Sequence, residues 1–515
     1  MSPGSGASVV RLVHAAPGAG ETPPLEASTA ELLCLGGDGR LHLDPAGRAN
    51  RYGCAPRPDA SLIAFGSSTA STVSAEAFAA ADHLRGRLLD AVLAGASPEA
   101  IYEQAVRRIR GELLSLYGLQ GAAEVILAPS GTDLHLIMGQ LIAAGAARPP
   151  LAIIPEEAET GSGVPGALAG QGLQAVEVRA VSARAADGRP RDPASADAEV
   201  EAMAEAAIAD GRRVLVVLID VSKTGLISPS PACALGLAER HSGQVTVLVD
   251  ACQLRLSAAS LAAYLDRGAL VAVTGSKFLT GPAFSAALLV PPAAAARLAA
   301  RRAPPGLEAA CARADWPEGW AARERMAPAA NFGLLLRWQA ALTELAGFAA
   351  VAPAQTAAVA AVLERAVEEA LASHGELQPL EVRALERGLC ADHSWDSQKT
   401  IFPFLLRSAP SGRWLVPDET ARVWRMMRED LAAEAGGISL QAHAAARLRI
   451  ELGQPVAAGV RCGAPVAALR LCLSSRLVCE AAGGDPRGAS RLLSDARLAL
   501  AKAAWLAREV AAGRL

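Results

Sequence analysis

At 515 residues the chain exceeds what one ordinary hydrophobic core organises, so at least two domains are expected. Hydrophobic residues make up 51% and the formal net charge is −3, a balance that gives no electrostatic case for nucleic acid or an anionic membrane as partner. The longest apolar runs are broken by Gly, Pro or a charge, which argues against a transmembrane helix, and the first thirty residues lack a basic-then-apolar signal pattern. Nine cysteines are scattered singly from Cys34 to Cys479 without a CxxC pair or metal-ligand spacing. They read as reduced, mostly structural thiols, so the expectation is a cytoplasmic protein with no metal site.

Residues 1 to about 30 read as a loose arm rich in Ser, Gly, Pro and Ala. NRYGCAPRP and FGSSTASTVS follow as loops able to line a site mouth, with Tyr52, Arg57, Ser67 and Ser68 as candidate substrate contacts. Cys54 has no histidine or basic cluster beside it in sequence and reads as structural. Helical periodicity runs from Glu76 to Tyr117, with Ser97-Pro98-Glu99 a strong helix start.

VILAPSGTDLHLIMGQLIAAG then reads as a strand over Val125 to Ala128, a turn, and a helix carrying Leu134, Ile137, Met138 and Leu141 on one face. A Gly-containing turn at a helix N-terminus gathers unpaired amides and the positive dipole end, so Ser130, Gly131 and Thr132 form a candidate anion site. Thr132 or Asp133 could equally cap the helix. LAIIPEEAETGSGVPGALAG reads as strand, loop and helix, AVEVRAV as a strand, Ser195 to Asp210 as a helix, and RRVLVVLIDV as a central strand ending at Ser222 and Lys223.

Val245 to Pro291 carries the most chemistry. VTVLVD ends in Asp250 and LVAVTGSK ends in Lys277, and each run reads as a buried parallel strand. Strand ends of an open α/β sheet share one ligand crevice. An acid and an amine placed there suit pyridoxal 5'-phosphate: the amine forms a Schiff base with the cofactor aldehyde, and the carboxylate keeps the pyridine nitrogen protonated. Taken singly, Asp250 could be a helix cap and Lys277 a solvated charge.

DACQ followed by TGSKFLTGP resembles the DxxQ and SGHK-type signatures of fold-type I pyridoxal-phosphate enzymes, in particular the class V aminotransferase and cysteine desulfurase group. The resemblance implies an α/β fold with a mostly parallel central sheet flanked by helices, a smaller α/β C-terminal domain, and a homodimer. It places the Schiff-base lysine at Lys277, the pyridinium partner at Asp250, a contact to the cofactor's phenolic oxygen at Gln253, and phosphate contacts at Thr274 and Ser276. Ser276 stands where the family usually has histidine. Ser130, Gly131 and Thr132 would cradle the phosphate, and Ser222 stands where the family often has an asparagine bonded to the phenolic oxygen. The family's ring-stacking aromatic or histidine is missing from the loop after LAIIP, leaving Glu159, Thr160 or Ser162 to cover that face. Lys223 is the rival for the Schiff base, and its turn-like surroundings favour Lys277.

Beyond Pro291 an Ala/Arg/Pro-rich stretch reads as the exit from the large domain. NFGLLLRWQAALTEL and TAAVAAVLERAVEEALASH read as helices, with Leu334 and Trp338 as core, while TIFPFLLR, ARLRIEL and ALRLCLSSRLV read as strands of the smaller domain. The expected division is residues 1–75 as arm and loops, 76–300 as the cofactor domain, and 301–515 as linker helices and small domain. ALRLCLSSRLV resembles the family's R-x-S-type strand, whose arginine grips the substrate carboxylate. Arg470 is the preferred counterpart, although an even separation would put Arg476 on the same side of a regular strand. Pro455 and Val456 stand where desulfurases carry a reactive cysteine. These expectations converge on a pyridoxal-phosphate enzyme acting on a small-molecule amino-acid substrate, aminotransfer first, carbon-sulfur lysis or desulfuration second, and a non-catalytic binding protein third.

Overall fold

The protein is described by a computed structural model covering residues 24–170, 172–309, 311–391, 394–409, 411–435 and 440–515; most of the expected N-terminal arm lies outside the described residues. Among the described residues thirteen strands run in chain order: β1 Leu62–Phe65, β2 Glu124–Ala128, β3 Leu151–Pro155, β4 Glu177–Val181, β5 Val214–Asp220, β6 Ile227–Ser228, β7 Val245–Ala251, β8 Leu270–Thr274, β9 Ala286–Val290, β10 Leu377–Pro379, β11 Ile401–Leu406, β12 Arg449–Arg461 and β13 Ala464–Cys472.

The larger sheet has the order β2-β9-β8-β7-β5-β3-β4, with β6 on β5. β4, β3, β5, β7 and β8 pair in parallel, and β9 runs antiparallel between β8 and β2. Parallel sheets need cover on both faces, and their strands therefore read as unbroken apolar runs. β5, VLVVLID, is buried at every position: Val214, Val216 and Leu218 enter one core, Leu215 and Val217 the other. Helix Phe332–Ala349 packs on helices Ala75–Leu93 and Pro98–Leu116 over the first core, and helix Gly131–Ala143 covers the second. Leu334 and Trp338 are fully buried there, as core positions.

The smaller sheet has the order β1-β12-β13-β11-β10. Helices Pro353–Ser373 and Gly488–Ala511 close a separate core around Phe404, Leu469, Leu471 and Trp505. β1 comes from the N-terminal segment and pairs in parallel with β12, Leu62 opposite Arg449. Its four residues between turns are too few to carry a periodic signal. β12 also runs through GQPV to Arg461, well past the expected ARLRIEL. Irregularities between Gly453 and Val456 and between Ala457 and Val460 interrupt its alternation, which hid the hairpin. ALRLCLSSRLV is not one strand: β13 stops at Cys472, and Ser474 caps helix Ser475–Ala482 with its hydroxyl accepting from the Leu477 amide. Arg476 therefore lies on a helix, and the even-spacing argument does not apply to it. Among the described residues no single helix is long and apolar enough to cross a membrane.

Candidate active site

A cavity of about 370 Å³ opens at the ends of β5, β7 and β8 and is closed from the other side by the N-terminal segment and the β12–β13 hairpin. In open α/β sheets this is the crevice where strand-end groups from distant parts of the chain converge. Ser130, Gly131, Thr132, Ser222, Asp250, Gln253, Thr274, Ser276, Lys277 and Arg470 all line it, as do Glu159, Thr160, Ser162 and Lys223.

The Ser130 turn is built as a reciprocal cap. Ser130 Oγ accepts from the Asp133 amide at 3.3 Å, while Asp133 Oδ2 accepts from the Ser130 amide at 2.9 Å and from its hydroxyl at 2.7 Å. The capping role expected of Thr132 or Asp133 is thus shared between Ser130 and Asp133. The amides of Gly131 and Thr132, in the first helical turn, have no intrahelical acceptor. A Cβ at Gly131 would come within 2.8 Å of Cys252 Sγ, so this close approach of turn and strand end requires glycine.

Asp250 is buried. Its Oδ1 accepts from the Cys252 amide at 3.1 Å, and its Oδ2 faces His135 Nε2 at 3.4 Å. His135 Nδ1 lies 2.7 Å from the Gly131 carbonyl, which only accepts, so Nδ1 carries a proton and this bond ties the ring to the turn, while Nε2 lies against the acid with no hydrogen-bond partner among the described residues. Sequence reading does not single out His135, because a histidine inside an apolar helix run reads as core. Its position four residues after Gly131, on the same helix face as the turn, is the available signal.

Lys277 Nζ donates to the Thr69 carbonyl. Burial, and next the nearby Arg470 charge, push its pKa down to about 8, which makes the neutral, nucleophilic amine accessible near physiological pH. Thr274 Oγ1 donates to the Cys252 carbonyl at 2.7 Å and accepts from Ser276 Oγ at 3.4 Å. Gln253 Nε2 donates to the Ser68 carbonyl at 3.0 Å, and its Oε1 is buried without a protein partner.

Glu159 is not a free cover for a ring face. It pairs with buried Arg184 at 2.7 Å and accepts from Ser222 Oγ at 2.6 Å and Thr224 Oγ1 at 2.7 Å, so the Ser222 proton points at Glu159. Thr160 Oγ1 is buried without a partner, and Ser162 is exposed at the rim. Tyr52 and Ser68 line the cavity, whereas Arg57 is exposed outside it and Ser67 is spent on the Leu473 carbonyl and Arg255. Burial, then the charge of Glu451, hold the Cys54 thiol well above its ordinary pKa, which leaves it a poor nucleophile. Arg40 is a cavity residue that sequence reading misses: its guanidinium forks onto Asp38 at 2.7–2.9 Å and lies 4.7 Å from the centre of the Phe284 ring.

Arg470 is buried. It donates to the Gln454 carbonyl at 2.5 Å, Thr69 Oγ1 at 2.9 Å and the Lys223 carbonyl at 3.2 Å, and its Nε has no partner among the described residues. Arg476 is engaged elsewhere, pairing with Glu344 at 2.7 Å and donating to the carbonyls of Thr72 and Thr280.

The donor set fits pyridoxal phosphate: a strand-end acid and amine, helix-start amides, hydroxyls, and buried polar atoms at Gln253 and Thr160 with no partner among the described residues. The fold is that of fold-type I pyridoxal-phosphate enzymes, with a mixed, mainly parallel α/β sheet and a second smaller sheet. No protein-family model matches the chain, and no curated protein matches it by sequence. Among solved structures it is similar to a mutant of C-DES with glycine covalently linked to its PLP cofactor, at TM-score 0.54 and 17% identity over 85% of this chain and 97% of that one. A NifS-like protein aligns at TM-score 0.53 and 12% identity, covering 85% of this chain and 98% of its own. The cystine C-S lyase C-DES in complex with its product cysteine persulfide aligns at TM-score 0.52 and 16% identity, with the same coverage.

Proposed function

We propose that the protein is a pyridoxal-phosphate enzyme that acts on an amino acid, with Lys277 as the lysine that binds the cofactor. The observation that carries this reading is the convergence on one cavity of Asp250, beside His135, with a Lys277 amine of lowered pKa and the Gly131–Thr132 helix start. Bound there, the cofactor would supply an electrophilic carbon and an electron-accepting pyridine ring. Asp250 would hold the proton on the pyridine nitrogen, and the Cys252 amide would keep that carboxylate aimed. The Gly131 and Thr132 amides, with Thr274 and Ser276, would hold the phosphate, and Gln253 would bond at the ring's oxygen. Arg470 would grip the substrate carboxylate, and Lys277 Nζ would carry the proton to and from Cα.

Aminotransfer is favoured over desulfuration by persulfide relay. Persulfide relay needs a thiolate at the site, and the one cysteine among the described lining residues is Cys252. Burial, then the Asp250 charge, raise its pKa well above the ordinary value. The test is to incubate the cofactor-loaded protein with an amino-acid panel while recording cofactor absorbance and products. Keto acid with a cofactor converted to its amine form supports aminotransfer. Release of ammonia or sulfide supports carbon-sulfur lysis, and no spectral or chemical change supports a binding protein.

A further inference from the structure

Two cations border the cavity with no carboxylate in ion-pair contact among the described residues. The partners of Arg470 are two carbonyls and a hydroxyl, and the Lys223 ammonium donates to the Glu157 carbonyl, at 3.2 Å. The buried charges around them are engaged elsewhere. Glu159 is bound by Arg184, Ser222 and Thr224, Asp250 faces His135, and Arg40 is paired with Asp38, while the exposed Glu157 carboxylate acts on Lys223 only from beyond ion-pair distance. The two cations also sit close, since Arg470 Nη1 donates to Lys223's own carbonyl. Burial, then the Arg470 charge, push the Lys223 pKa down to about 8. Holding like charges together in a partly desolvated space is costly unless a ligand supplies the counter-charge. One α-carboxylate neutralises only one of them.

We propose that the site selects an amino acid bearing a second carboxylate on its side chain, with the α-carboxylate on Arg470 and the side-chain carboxylate on Lys223. This rests on the amino-acid reading above and adds the substrate class. It also explains why a lysine that the cofactor does not need occupies the cavity wall.

The test uses the cofactor-loaded protein, checked by its visible absorbance, and unreactive acids that lack an amine. Calorimetry compares glutarate with pentanoate and succinate with butyrate, on the wild type, Lys223→Met and Lys223→Arg. The dicarboxylates are expected to bind about tenfold or more tightly than the monocarboxylates, as one added charge-assisted contact would give. Lys223→Met should bring that ratio close to one and Lys223→Arg should keep most of it. Equal binding of both acid types by the loaded wild type overturns the proposal even if a variant fails to fold, and so does an undiminished ratio in folded Lys223→Met. A wild type that takes up no cofactor instead sinks the cofactor reading, a separate failure visible before any acid is added.

Discussion

The cavity has two walls that the chain builds in different ways. On the sheet side, Asp250 and Lys277 each end or follow an apolar strand and several bonds are local, Asp250 with the Cys252 amide, Ser276 with Thr274 and Ser130 with Asp133, while Lys277 Nζ reaches across to the Thr69 carbonyl. On the other side, Arg40, Tyr52, Ser68 and Thr69 from the N-terminal segment meet Gln454 and Arg470 from the hairpin. Long-range bonds join them: Arg470 donates to Thr69 Oγ1, and the Gln454 amide donates to the same hydroxyl at 3.0 Å. A further bond, from Gln253 to the Ser68 carbonyl, ties this wall to the sheet. Chemistry would reside on the first wall, and recognition on the second together with Lys223 just beyond the end of β5. Substitutions on the first wall should therefore stop turnover, and those on the second should weaken binding.

The largest effect is expected at Lys277. Lys277→Ala should lower turnover by about 10²-fold or more, the scale of a lost acid–base group. Borohydride reduction of the loaded wild type should fix the cofactor to Lys277, and mass mapping to Lys223 would reassign it. The pH dependence follows from the lowered pKa. Only the neutral amine attacks, so cofactor uptake by the stripped protein should rise with pH and level off above about 8 rather than near the ordinary lysine value of 10.5.

Asp250→Asn comes next. A neutral amide cannot favour the ring proton by charge, and each pKa unit is worth about 1.4 kcal/mol. The variant should retain cofactor by absorbance while losing most turnover. Near-normal turnover would place Asp250 among structural residues and remove the chemical role from the sheet wall.

The same division explains what is legible in the sequence. Strand-end positions such as Asp250 and Lys277 announce themselves through the apolar runs before them, and Ser130 through the strand-turn-helix pattern. Nothing local marks Arg40 or Thr69, whose surroundings arise only when distant segments meet, as Thr69 meets Arg470 across 401 positions of chain. β1 escapes notice for the same reason, being four residues long and stabilised by β12. His135 lies within a correctly read helix, but its face toward Asp250 depends on how that helix packs on the sheet.

On the recognition wall, Arg470→Lys should raise the substrate KM about tenfold, since losing one prong of a charge-assisted pair costs on the order of 1.5–3 kcal/mol. Arg476→Lys should leave KM alone. Its bonds to Glu344, Thr72 and Thr280 tie helix Ser475–Ala482 to the N-terminal and sheet-side loops, so a lower denaturant midpoint is expected instead. If Arg476→Lys changes KM and Arg470→Lys does not, the substrate anchor has been misplaced.

The smallest effect is expected at Arg40, which tests whether the N-terminal segment belongs to the cofactor site or merely roofs it. Arg40 follows Asp38, the cap of a short 3-10 turn over Gly39–Leu41, and Asp38 fixes its guanidinium while Phe284 supports one face. Its Nη2 lies 3.5 Å from Ser130 Oγ, beside the helix start assigned to the phosphate. A cation there adds attraction for an anion, but Asp38 offsets much of its charge, so the gain should be modest, about 1 kcal/mol or a few-fold in affinity. Arg40→Met should raise the cofactor concentration for half-saturation by that factor, read from visible absorbance during titration of the stripped protein. Arg40→Lys should recover part of it, keeping the charge but losing the planar fork. No change in either variant would leave the segment a cover, with its contribution confined to Tyr52, Ser68 and Thr69.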